Sequence, residues 1–102
     1  MSKHMPHCPP QVVLVVENDV LERMFKAAAL RRQGLEVFEA ADVAEAVTVL
    51  KKIAVDLLIS DISLIDGTVL AQLAKEHQPN VQVVWMAPPQ RRQNSIETAV
   101  LH

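Results

Sequence analysis

Val55-Asp56-Leu57-Leu58-Ile59-Ser60-Asp61 is the stretch on which the fold turns, an apolar run that stops on a carboxylate. Its unbroken Leu57-Leu58-Ile59 reads as a strand buried on both faces, as in a parallel sheet sandwiched by helices. Asp61 then stands at the strand's carboxyl end, the edge at which open α/β sheets bind ligands. The same layout occurs earlier, where Val12-Val13-Leu14-Val15-Val16 runs into Glu17-Asn18-Asp19. If these two strands are neighbours, polar side chains from two loops converge on one rim, and the functional reading rests on that convergence.

Around these strands the chain alternates. Asp19, with Glu22 three residues on, predicts a capping box that opens a helix to about Gln33, with Leu21, Met24, Phe25 and Ala28 as its inward stripe. Gly34 ends that helix where a left-handed residue is wanted. Glu36 to Ala40 alternates in polarity and predicts an edge strand. Asp42 and Glu45 open a second helix, which buries Val43, Ala46, Val47 and Leu50 and ends on Lys51-Lys52. After Asp61, residues 62–67 predict a loop with a turn at Asp66-Gly67. A third helix follows from Thr68 to about His77, with Leu70, Leu73 and Ala74 inward, and then a strand over Val81 to Met86. Pro88-Pro89 closes regular structure there, and a weak helix begins at Asn94 or Ser95. Strands alternating with helices imply right-handed crossovers and a parallel sheet.

A chain of 102 residues, half of them hydrophobic, bounds this to a single α/β domain over residues 11–102 with an atypical remnant at 88–102. Only Phe25, Phe38 and Trp85 are aromatic, so the core is aliphatic and a base-stacking platform is not expected. A net charge of −2 with acids and bases interspersed argues against nucleic acid and anionic membranes as partners. Residues 1–10 read as a flexible leader: they lack the apolar segment of a signal peptide or anchor, and the lone Cys8 suits a reducing cytoplasm. His4, His7 and Cys8 could ligate zinc, but the sequence offers no second ligand pair to complete a site.

The pattern Leu14-Val15-Val16-Glu17-Asn18-Asp19, the strand ending Ile59-Ser60-Asp61 and the later Asp66-Gly67 together resemble the receiver domain of bacterial two-component response regulators. The resemblance covers about Val12 to Ala87. It implies a flavodoxin-like (CheY-like) parallel sheet, of strand order 2-1-3-4 with the fifth strand and last helix apparently missing. It implies Asp61 as the acceptor of a phosphoryl group from a sensor histidine kinase or a phosphotransfer protein. It also implies Mg²⁺ at Glu17, Asn18, Asp61 and the backbone carbonyl of Ser63, which suits a hard cation that takes oxygen ligands.

Four departures from the family pattern bear on mechanism. Asn18 replaces a second carboxylate, so Mg²⁺ should bind more weakly. Asp19 is read as a helix cap rather than a substitute ligand. Met86 occupies the switch position, where the family keeps a Thr or Ser whose hydroxyl bonds the phosphoryl oxygen. The loop from Asp61 to Asp66-Gly67 is short and lacks its proline, and no lysine corresponds to that of the family's fifth strand, Lys75 being on the wrong helix. A sheet without its last helix would leave an apolar face open, so either the remnant from Gln90 onward or a homodimer is expected to cover it.

These observations leave two signalling readings: a phosphoacceptor, and a pseudo-receiver that works as an interaction module without phosphorylation. An enzyme of the aspartate-nucleophile phosphatase type would want an acid two residues after Asp61, where Ser63 stands. No enzymatic activity is therefore expected.

Overall fold

A computed structural model describes residues 11–60 and 64–86, with the backbone alone for 64–67. The leader, Asp61, Ser63 and the remnant after Met86 lie outside the described residues. The elements are β1 (Val12–Val16), α1 (Val20–Arg31), β2 (Glu36–Ala40), α2 (Val43–Lys52), β3 (Leu57–Ser60), α3 (Leu64–His77) and β4 (Gln82–Trp85). All described strand pairs are parallel, in the expected order β2-β1-β3-β4.

The two most apolar strands, β1 and β3, lie side by side because each buries both faces. On one face Leu14, Val16, Ala40 and Leu58 pack against Ala46 and Leu50 of α2 and against Leu70 and Ala74 of α3. On the other, Val13, Val15, Val37 and Ile59 meet Ala27 and Leu30 of α1. Alternation across the pleat divides the same strands between two cores.

Local chemistry fixes the ends of the elements. Asp42 caps α2 through the backbone N–H of Glu45 at 2.9 Å, and Glu45 returns an oxygen to the N–H of Ala41 at 2.8 Å. Gly34, at φ 90°, turns the chain from α1 into β2, a conformation that costs a residue with a Cβ. Gln78 does more than the sequence announced. Its amide donates to the carbonyls of Leu50 and Ile53 at 2.8 and 2.6 Å and accepts the N–H of Val55 at 2.7 Å, tying the end of α2 to the entry of β3. Asp56 likewise accepts the N–H of Val12 at 2.8 Å, at the edge of the sheet opposite Glu17.

Two expectations are corrected. Helix α3 starts at Leu64, so Asp66-Gly67 lies within its first turns rather than in a loop. One glycine near a terminus does not outweigh the rest of a 14-residue helix. The second correction concerns the face of α1. Leu21 and Phe25 are 61% and 68% exposed, Met24 is also exposed, and Ala27 is the buried residue. The helix is turned so that Arg23, Lys26, Ala27 and Leu30 approach the sheet. The aliphatic stems of Arg and Lys cover apolar surface while their charged ends reach acidic partners, a choice that counting apolar residues overlooks.

Candidate functional site

The carboxyl edge of the sheet carries the predicted rim. Register pairs Val16 of β1 with Ser60 of β3, the residues that directly precede Glu17 and Asp61 in sequence. Ser60 in turn pairs with Trp85, and the N–H of Met86 donates to the Ser60 carbonyl at 2.9 Å. The carboxyl ends of β1, β3 and β4 therefore lie side by side.

Glu17 is a buried charged group of the described rim, at 6% exposure. Its Oε1 lies 2.8 Å from Nζ of Lys26, and its Oε2 accepts the N–H of Asp19 at 3.0 Å. Its carbonyl accepts from Arg23 at 2.8 Å, and its N–H donates to the Ala40 carbonyl at 3.0 Å. A buried carboxylate demands such partners, because water no longer solvates it. Asp19 does cap α1, accepting the N–H of Glu22 at 2.9 Å. The reciprocal half of the expected capping box is made differently, since the N–H of Asp19 goes to Glu17.

A second layer of charge braces α1 against β2. Arg23 and Arg31 approach the two oxygens of Glu39 at 3.4 and 3.2 Å, and Arg31 also donates to the Val37 carbonyl at 2.8 Å. Beyond the polar face of β2, no sequence pattern announces this clamp.

The other expected ligands divide. Asn18 is exposed on the rim, whereas Asp61 and Ser63 lie outside the described residues. Among the described residues no three His, Cys, Asp or Glu side chains converge as a metal-holding group. Both oxygens of Glu17 are engaged by protein donors and Asn18 is neutral, so the described part of the set does not fit a divalent cation as it stands. Met86 is exposed at the rim and has no hydroxyl. Ser60 does carry one, fully buried, and its Oγ has no hydrogen-bond partner among the described residues. Lys75 donates to the Val81 carbonyl, at the amino end of β4 and away from the rim.

No described helix is long and apolar enough to cross a membrane. No curated protein matches the chain. Among solved structures it is similar to the receiver domain of the hybrid histidine kinase CckA, at 29% identity and TM-score 0.69, over 85% of this chain and 96% of that one. It also shares its fold with the non-phosphorylated HemR receiver domain of Leptospira biflexa, at 23% identity and TM-score 0.66, over 85% of this chain and 74% of that one. A third similar fold comes from a Saccharomyces cerevisiae co-crystal of the histidine phosphotransfer protein Ypd1 with the receiver domain of its response regulator Ssk1. There the identity is 21% and the TM-score 0.63, over 76% of this chain and 63% of that one. The response regulator receiver domain family matches residues 13–101, and with β1 and β3 adjacent and parallel in the sheet, the chain belongs to that family.

Proposed function

We propose that this domain is a phosphoacceptor in two-component signalling, with Asp61 taking a phosphoryl group from the phosphohistidine of a sensor kinase or phosphotransfer protein. A carboxylate oxygen of Asp61 forms the new P–O bond as the P–N bond of the donor breaks, and the imidazole keeps the electron pair and gains a proton. The observation that carries this reading is the pairing of Val16 with Ser60, which brings the acidic loop after β1 beside the strand end that precedes Asp61. Receiver domains commonly bind Mg²⁺ at this edge. In this chain the implied set is Glu17, Asn18, Asp61 and the Ser63 carbonyl, and the engaged Glu17 and neutral Asn18 weigh against a strong site. The cytoplasm is the compartment this reading requires, because kinases draw on ATP there.

Incubation with acetyl phosphate followed by intact-mass measurement tests the proposal. One phosphoryl adduct is expected on the native chain and none on Asp61→Asn. No adduct on the native chain, with Mg²⁺ present, would refute it.

The ion pair between Glu17 and Lys26 and the hydroxyl-free Met86 favour a second reading, an interaction module that signals without phosphorylation. In that case partner binding is unchanged in Asp61→Asn. Under either reading the output passes through protein contacts rather than nucleic acid. The exposed Leu21, Met24 and Phe25 of α1 and Val84 of β4 supply apolar area for a homodimer, which sedimentation velocity of the native chain against Phe25→Glu would detect as a loss of the faster species.

A further inference from the structure

The charge at the rim is balanced from within the chain. Lys26 lies nine positions after Glu17, and α1 carries its ammonium back over the start of the helix to the Glu17 carboxylate. Both partners are withdrawn from water, with side-chain exposures of 16% and 6%. The acidic groups facing Lys26 among the described residues are Glu17 and, at a longer 3.9 Å, Glu22. Arg23, the other described cation here, is directed to the Glu17 carbonyl and to Glu39. With Asn18 in place of a carboxylate, Glu17 is the buried acid of the loop after β1, and the Lys26 ammonium pairs with it.

We propose that Lys26 is the resident counter-ion of this rim, occupying the electrostatic place that a divalent cation takes in related domains. A divalent ion could recruit Glu17 only by displacing the ammonium. That displacement would break the shortest described ion pair of a partly buried lysine, 2.8 Å to Glu17 against 3.9 Å to Glu22, and separating a buried pair costs more than its partners' original desolvation. Asn18 offers such an ion a neutral oxygen in place of a charge, so the exchange gains little in return. Lys26 is therefore a positioning residue. It fixes the Glu17 carboxylate, and through the Asp19 N–H on the other oxygen it fixes the loop that opens α1. The inference concerns this loop alone and does not depend on phosphorylation of Asp61.

Mg²⁺ titration by calorimetry and by thermal shift, against NaCl of matched ionic strength, tests it on the native chain, Lys26→Met and Lys26→Arg. The native chain and Lys26→Arg are expected to show no binding below the millimolar range and no shift in Tm specific to Mg²⁺. Lys26→Met is expected to bind Mg²⁺ about tenfold more tightly or better, and to recover on its addition the Tm it loses without it. A role in packing alone would lower Tm without creating this dependence on the cation. Submillimolar Mg²⁺ binding by the native chain would overturn the proposal, as would a folded Lys26→Met that gains no affinity. Should Lys26→Met fail to fold, the native titration decides: submillimolar affinity refutes the proposal and its absence supports it.

Discussion

A single residue at the rim separates what polarity predicts from what packing imposes. Ser60 is fully buried with a hydroxyl that lacks a hydrogen-bond partner among the described residues, and an unsatisfied buried hydroxyl costs about 1 to 3 kcal/mol. Ser60→Ala is therefore expected to leave stability unchanged or raise it by about 1 kcal/mol, read as the urea midpoint at constant slope. A clear loss would show that the hydroxyl is satisfied. Glu17 was legible as a rim acid because an apolar strand stops on it. Lys26 was not: a lysine on an amphipathic helix ordinarily reads as a solvated charge, and only the rotation of α1 reveals where its ammonium goes.

At the scale of elements, β1 and β3 are legible as continuous aliphatic runs, β2 by its alternation, and α2 because its cap and its stripe agree. α1 was legible in extent but not in orientation. Its stripe of Leu21, Met24 and Phe25 and the face that carries Ala27 are both helical in period, and the charged anchors to Glu17 and Glu39 decide between them. Phe25→Ala should accordingly cost less than about 1 kcal/mol in chemical denaturation, against the 3 to 5 kcal/mol of a core phenylalanine. A loss in the latter range would mean that Phe25 is buried after all. Asp42→Ala should cost about 1 kcal/mol through loss of the α2 cap. For α3 the Asp66-Gly67 pair has the local propensity of a turn, yet the helix continues through it. Gly67→Ala is thus expected to be neutral or to stabilise by up to about 1 kcal/mol, whereas a left-handed turn at that position would make the same change destabilising.

At the scale of the whole molecule, the order β2-β1-β3-β4 with parallel pairing brings the carboxyl ends of β1 and β3 to one edge, and this adjacency is the deepest inference available from sequence. The cross-links that hold the opposite edge were not legible. Neither Gln78, which joins the end of α2 to β3, nor Asp56, which accepts from Val12, follows any periodic pattern. They hold that opposite edge together, while the carboxyl edge carries the buried Glu17–Lys26 pair. The most direct test is a two-dimensional amide NMR titration with beryllofluoride, which mimics a phosphoryl group on a carboxylate. The account predicts that the largest shifts fall on Glu17, Asn18, Ser60 and Met86, and that they vanish in Asp61→Asn. Shifts centred on Gln11, Asp56 and Val81 at the other edge, or shifts that persist in Asp61→Asn, would contradict it.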